Sequence, residues 1–452
     1  MTLLIVICVA SFGWLIRLLR QDRCSLGLPV AYLFSLLLIH VPGALATMFS
    51  SNLRFESGIT EVGMRFVAVA SVCFVIGVWL AHRLIPAMRV HAVVDHKDFS
   101  WFCLLAGWTC IYGLSPLYHI PSISAAVEKG AAIWMLGVLF GLRAAFLRSD
   151  AKRFAMWLGA LLVYPVLMLL LGGFLSYGSA AIIIVCAVLT ISTRSYWGTM
   201  AGISLFVFLG LSIFVNYFQH RTQIREEVWG GAPLETRISA VADTIRDFEW
   251  LNLSNRAQLE AMDERLNQNY FVGLAAERIG HGQVNYLWGR SLFEGLLSLI
   301  PRLLWQEKPV FGGSPGIVAE MTGLQLSPTT SFGVGNVMEF HINFGVPGVV
   351  IGFLVLGWLI GWLDLNCAIA EHRGNVGNVL LYFLPCVALI HPEGSLVELF
   401  GGSAASLVAA YAWRWFWKWR IEPIRKRRSQ NDAMRLIALN RAPQFIRELS
   451  RH

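Results

Sequence analysis

Charged side chains are scarce in this chain: Asp, Glu, Lys and Arg make up 14% of 452 residues, apolar ones reach 56%, and the mean hydropathy is +0.59. That balance excludes a soluble globular protein, in which about a quarter of the residues are charged. Metal and nucleotide signatures are missing too. There is no Cys-x-x-Cys, His-Glu-x-x-His, paired Asp-x-Asp or Walker glycine loop, so no metal, nucleotide or other cofactor is expected. Of the eight cysteines, Cys8, Cys73, Cys103, Cys110, Cys186 and Cys386 fall in apolar runs and Cys24 and Cys367 near their ends, leaving none between 220 and 340. That stretch must be held by packing and the membrane surface rather than by disulfides. No basic run interleaved with aromatics occurs in a soluble segment, so no nucleic-acid partner is expected. Internal repeats, inverted pairs of interrupted helices and polar groups inside the apolar runs are lacking or few, which counts against a transporter or a proton relay.

What is present is a series of apolar runs long enough to cross a hydrocarbon core of about 30 Å as helices. They read at 2–18, 27–49, 63–82, 100–118, 131–147, 154–173, 178–193, 198–218, 343–364, 377–391 and 396–417. The expected fold is all-α, a polytopic transmembrane bundle of about eleven helices with a large helical loop. The expected divisions are helices one to eight at 1–218, the loop at 219–341, helices nine to eleven at 342–417 and a basic tail at 418–452.

If the runs alternate, the clusters Arg17, Arg20, Arg23; Arg83, Arg89, Lys97; Arg148, Lys152, Arg153; Arg194; Arg373; and Arg425–Arg428 all fall on one side. The positive-inside rule makes that side cytoplasmic, with the N-terminus and the loop outside and the C-terminus inside. Arg17 and Arg20 follow the first apolar run rather than precede it, so it is expected to be a retained helix. The net charge of +8 sits mostly in these clusters, which face anionic lipid headgroups.

Between His220 and Phe340 the chain carries nine arginines and one lysine, a preference for fixed, forked positive charge. Apolar spacing predicts amphipathic helices at 236–250 and 255–271. The apolar segment 291–300 is too short to span and ends at Pro301, so it is expected to lie along the membrane surface with Arg302 at headgroup depth. From 312 to 335 the Gly, Ser, Thr and Pro content predicts a flap, with a short helix from Ser314 through Met321.

The segment Ile300-Pro301-Arg302-Leu303-Leu304-Trp305-Gln306-Glu307-Lys308-Pro309 places two cations around an aromatic ring. Arg302 would grip phosphate oxygens as a fork and Lys308 as a point charge, whereas the plainer reading is headgroup anchoring by Arg302, Lys308 and Trp305. Glu339 and His341, at the mouth of the ninth run, are the titratable candidates for a general base, with Asn343 beside them. Against this stand an interfacial ring for His341 and a fixing ion pair of Glu339 with Arg302 or Arg256. Arg256 opens a helix, where the dipole disfavours a cation, and its partner is substrate or Glu260 four residues on. His281, between two glycines, suits a loop that touches ligand, though a lone loop histidine is more often plain surface. Trp229, Trp288 and Trp305 suit sugar stacking or an interfacial belt. Arg278 and Arg302 are each followed, after ten intervening residues, by a glycine, Gly289 and Gly313.

Taken together, the run count, the late basic loop, the Ile-Pro-Arg and Lys-Pro pair flanking Trp305, and the entry Glu339-Phe340-His341-Ile342-Asn343-Phe344-Gly345 resemble the oligosaccharide repeat-unit polymerases, the Wzy-type O-antigen and exopolysaccharide polymerases. As topology the resemblance covers most of the chain, and as sequence only about 300–348. Both Arg-x10-Gly intervals lie in one loop here, where the family's best-known pattern spreads them over two. The resemblance implies a bacterial inner-membrane enzyme that moves a growing glycan from an undecaprenyl pyrophosphate carrier onto a new lipid-linked repeat unit at the periplasmic face. It needs no nucleotide sugar, and it implies a length-regulating co-polymerase as partner. Arg302, Lys308, Arg278, Arg256, Trp305, His281 and Asn343 would bind pyrophosphate or glycan, with Glu339 preferred over His341 as base. Alternatives are an O-antigen ligase and a flippase or exporter of the same lipid-linked sugars. The missing Asp-x-Asp sets the chain apart from metal-dependent glycosyltransferases that use polyprenyl-phosphate sugars.

Overall fold

The computed structural model describes residues 1–22, 24–50, 53–84, 97–120, 122–173, 176–193, 195–302, 304–309, 314–325 and 333–424. Arg23, Arg89, Arg194, the C-terminal tail from 425 and much of the expected 312–335 flap lie outside them. The regular structure among the described residues is helical, with no strand.

The N-terminal half runs α1 (Thr2–Asp22), α2 (Leu28–Leu38), α3 (Val41–Phe49), α4 (Ser57–Leu84), α5 (Lys97–Trp108), α6 (Ile123–Gly130), α7 (Ile133–Leu147), α8 (Ala151–Gly172), α9 (Ser176–Ser192) and α10 (Tyr196–Trp229). The loop forms α11 (Leu234–Arg246), α12 (Arg256–Arg265), α13 (Gln268–Gly280), α14 (Arg290–Ser298) and α15 (Ser314–Thr322), and the chain re-enters through α16 (Asn336–His372), α17 (Val376–Leu389) and α18 (Leu396–Phe416). Among the described residues, eight helical segments are long and apolar enough to cross a membrane, and Gly178–Ser192 and Val376–Leu389 are shorter apolar helices.

The expected count of eleven is thus met only in part. The run at 100–118 does not form one helix: α5 stops at Trp108, a π-turn covers Thr109–Gly113 and a 3-10 turn covers Ser115–His119. Pro116 has no N–H for an α-helical bond, so the α-helical ladder, already lost after Trp108, does not resume there. Helices α10 and α16 overrun the expected loop borders at 218 and 341 by about three turns and nearly two turns, respectively.

Two loop helices also differ from expectation. The first is α11, which ends at Arg246 because residues 249–251 leave the helix to strap onto α10: Glu249 N–H donates to Asn216 Oδ1 (2.9 Å) and Asn216 Nδ2 to the Glu249 carbonyl (2.7 Å). The predicted 255–271 helix is two helices, α12 and α13, parted at Leu266 and Asn267. There the backbone turns to the bundle instead of to itself, with Gly43 N–H on the Leu266 carbonyl (3.0 Å) and Gln268 N–H on the Ile39 carbonyl (3.1 Å).

That break carries α13 into the bundle. A Cβ on Gly63 would fall on the Asn269 carbonyl and one on Gly273 on the Ile59 carbonyl, so α4 and α13 touch backbone to backbone. Buried Phe271, Val272 and Ala275 line the contact, each large apolar side chain contributing about 2 kcal/mol relative to water. A buried polar chain locks the register. Asp263 accepts from Phe55 N–H (3.1 Å) and Asn267 Nδ2 (2.7 Å), Asn269 Nδ2 donates to the His40 carbonyl (2.7 Å), and Asn269 Oδ1 meets the His40 ring (2.9 Å). Burial pushes the Asp263 carboxyl above the ordinary value, and these hydrogen bonds work against that push.

The opposite end of the bundle is tied separately. Asp364 accepts from Leu26 and Leu28 N–H (3.1 Å each), capping α2, Arg143 pairs with Glu371 at 2.8 Å, and Arg20 donates to the Thr190 carbonyl (2.7 Å) and to the Thr193 and Thr199 hydroxyls.

Candidate functional site

The Glu339-x-x-x-Asn343-Phe344-Gly345 segment builds a break in α16. Phe344 (φ −141°, ψ 18°) and Gly345 (φ 64°, ψ −146°) leave helical geometry, and the second is a backbone position open to glycine alone. The break frees the Ile342 carbonyl, which accepts from Leu287 N–H (2.8 Å). Asn343 fixes the same turn: Oδ1 accepts from Gly289 N–H (3.0 Å), and Nδ2 donates to Ser291 Oγ (2.7 Å) and to the Glu339 carbonyl (2.7 Å). Stapled at two points, the turn holds Trp288 at φ 48°, 73% exposed, edge-on to Tyr286 (5.7 Å) and Phe344 (6.4 Å).

Glu339 lies behind this turn and is fully buried. Its Oε2 accepts from Leu396 N–H at 2.7 Å, the first residue of α18, while Oε1 has no hydrogen-bond partner although Ser291 faces the carboxyl. Three helix N-termini converge here, those of α14, α16 and α18, and their dipoles favour negative charge. Glu294 and Glu398 are near enough to act on the same carboxyl. The start of α16 is seated on the turn after α17, with Gly335 and Asn336 N–H on the Glu393 (3.2 Å) and Pro392 (2.9 Å) carbonyls and Tyr32 Oη donating to Asn336 Oδ1 (2.7 Å). His341 is buried between Phe66 (4.3 Å between ring centroids) and Tyr286 (6.3 Å), and its Nδ1 has no partner.

Arg302 and Lys308 meet at the other end of α14. Lys308 Nζ donates to the Ser298 (2.9 Å) and Ile300 (2.8 Å) carbonyls, and Arg302 Nη1 donates to the Lys308 carbonyl (2.9 Å). Lys308 therefore caps the helix C-terminus. Burial there, and then the neighbouring Arg302 charge, pull its ammonium below the ordinary lysine value. Ser298 Oγ donates to the Val397 carbonyl (3.1 Å), pinning this end of α14 to α18. From Ser291 to Ser298 the helix rises about 10 Å, which sets the scale separating the cation pair from Glu339. Trp305 is half-buried in the same loop.

The remaining candidates are dispersed. Arg278, at the end of α13, donates to Gln283 Oε1 (3.2 Å) and lies against Gly323, just past α15. Arg256 pairs with Glu260 at 2.8 Å, the intrahelical partner named in the sequence, on a helix remote from Glu339. His281 is exposed beyond α13. Sequence reasoning did not single out Ser291, Glu294 or the Leu396 N–H as parts of the Glu339 environment, because they come from segments 45 and more residues away. Arg290, paired with Glu320 at 2.7 Å, ties α14 to α15. No group of three or more His, Cys, Asp or Glu side chains able to hold a metal occurs among the described residues.

No protein-family model, curated protein or solved structure matches this chain.

Proposed function

We propose that this protein polymerises lipid-linked oligosaccharide repeat units, carried on undecaprenyl pyrophosphate, into O-antigen or exopolysaccharide at the periplasmic face of the bacterial inner membrane. In this reading the N-terminus is periplasmic, the C-terminus cytoplasmic, and the α11–α15 region faces the periplasm. The observation that carries it is the carboxyl of Glu339, with one oxygen unpartnered where three helix N-termini converge, set about 10 Å along α14 from the Arg302–Lys308 pair.

The chemistry asks for two things. An acceptor hydroxyl must lose its proton as it attacks the anomeric carbon, and the pyrophosphate must leave with the bonding electrons. Glu339 takes that proton, and Arg302, with Lys308 beside it, stabilises charge growing on the leaving diphosphate. Trp288, held outward by the stapled turn with its ring edge-on to Tyr286, presents a ring face suited to a sugar. Because Glu339 is covered, the acceptor reaches it only when α14 and its stapled turn shift.

The test is complementation of a deletion strain with Arg302→Ala, Arg302→Lys and Glu339→Gln at matched expression. The expected result is loss of long polymer and accumulation of single repeat units on the carrier, which separates polymerase from flippase. Normal polymer from all three variants would overturn the reading.

A further inference from the structure

A half-open cleft of about 210 Å³ lies between α1, α2, α9 and α10. One end is closed by rings: Phe12 of α1, Phe34 of α2 and Phe206 of α10 stand in series, with centroids 6.0 and 5.7 Å apart. Thr190, Thr193 and Thr199 form the other end, and the walls between are apolar apart from Cys186. From Thr199 to Phe206 α10 rises about 10 Å, most of the roughly 15 Å depth of one hydrocarbon leaflet. The width is set by the sequence. Small residues on membrane helices let neighbours touch, as at Gly178, where an added Cβ would fall on Pro165. Gly202 does the reverse: it lines the cleft, and an added Cβ would meet no atom within 4 Å. The absent side chain leaves a slot.

The threonine end carries a fixed cation. Arg20, in the last turn of α1, gives Nε and Nη2 to the Thr190 carbonyl (3.3 and 2.7 Å) and Nη2 to the Thr193 (2.9 Å) and Thr199 hydroxyls, capping the end of α9. All of these acceptors are neutral, and Nη1 takes no part in these bonds. Arg17, one turn earlier on α1, is exposed. A guanidinium at the mouth of an apolar slot, where a membrane span ends, matches a lipid whose phosphate takes the fork while an acyl chain enters the slot. A zwitterionic headgroup would bring its own cation up to Arg17 and Arg20, so a net negative one is preferred. The cleft belongs to the end of the bundle away from Glu339, because Asp364, at the far end of α16, caps α2 a few residues after Arg20.

We propose that this cleft holds one anionic phospholipid in the leaflet opposite Glu339, its phosphate on Arg20 and one acyl chain running from Thr190 and Thr199 to the Phe12, Phe34 and Phe206 rings. The chain fills the space between the first turns of α10 and its neighbours, and so ties to the bundle the helix that leads into the α11–α15 region. The inference is independent of the transfer reading, since neither Arg20 nor Gly202 belongs to the site around Glu339.

The test is native mass spectrometry of the full chain released from nanodiscs of equimolar phosphatidylglycerol and phosphatidylcholine, with thermal unfolding in the same discs as a check on folding. Wild-type protein is expected to retain one phosphatidylglycerol, at least tenfold in preference to phosphatidylcholine. Gly202→Leu, which fills the slot and leaves the hydrogen bonds of Arg20 untouched, should lose the retained lipid while still unfolding in one cooperative step. Arg20→Gln should retain the two lipids about equally. The same lipid retained by wild type and Gly202→Leu overturns the site, and equal retention of the two lipids by wild type overturns the role of Arg20. In discs doped with undecaprenyl phosphate, retention of that lipid in place of phosphatidylglycerol would make the cleft a carrier site and overturn the phospholipid assignment.

Discussion

Replacing Asn343 by Ala should release the turn that carries Trp288 from the break in α16. The side chain makes three hydrogen bonds, to Ser291 Oγ, the Glu339 carbonyl and Gly289 N–H. Two of these bonds hold the turn; at about 1 kcal/mol each, with about 1 kcal/mol more for a Gly289 N–H left without an acceptor, the loss is about 3 kcal/mol. At 1.4 kcal/mol per decade, local opening of the 287–291 turn becomes roughly a hundredfold more frequent. Hydrogen exchange on the protein in nanodiscs reads this directly. Gly289 should lose roughly two decades of protection. Leu287, whose bond goes to the Ile342 carbonyl rather than to the side chain, should lose less. Asn343→Asp is the control: it keeps the acceptor for Gly289 and removes both donations, so Gly289 should retain most of its protection. Equal protection at Gly289 in wild type and Asn343→Ala would refute the claim that this amide staples the turn.

Two further outcomes follow from the packing. Gly63→Ala should force α13 away from α4, because the new methyl would meet the Asn269 carbonyl, a backbone atom that cannot step aside; a loss of at least about 2 kcal/mol is expected in thermal or denaturant unfolding, and an unchanged midpoint would contradict the close approach. Arg256→Ala should be silent, since its pair with Glu260 is 69% and 47% exposed and worth about 0.5 kcal/mol at most; polymer length and yield in the complementation assay should match wild type, in contrast to Arg302→Ala.

Much of the bundle was legible in the sequence because membrane-crossing helices announce themselves by length and apolarity alone. The long runs around α1, α4, α8, α10 and α16 needed no tertiary information. Where a run contained its own interruption, as Pro116 and its neighbours do in 100–118, hydropathy averaged over the break and hid it. The Glu339-to-Gly345 segment was legible as a pattern but not as a shape: that Asn343 and Gly345 make a kink follows from bonds to Gly289 and Ser291, more than fifty residues earlier. The arginines divide the same way. Arg302 and Lys308 are near in sequence and meet in space, whereas Arg221 and Arg265 converge on Phe218 from different helices, and no local spacing foretells it.

The placement of α13 shows why polar residues misled the reading of the loop. Asp263, Asn267 and Asn269 look like solvent-facing positions of an amphipathic helix, yet each is buried. Buried amides are tolerable only when their donors and acceptors are met, and here they are met by Phe55 N–H, Thr60 Oγ1 and the His40 carbonyl and ring. Such a network tolerates no slip: moving α13 by one residue against α4 would strand several of these groups at once and press Gly63 and Gly273 onto side chains instead of carbonyls. An apolar contact of the same area would permit several registers, while this one permits a single register. A loop with no cysteine can therefore be held as rigidly as a cross-linked one. The proposed chemistry depends on that rigidity, since Gln268 at the start of α13 packs on Gly335, one helical turn before Glu339.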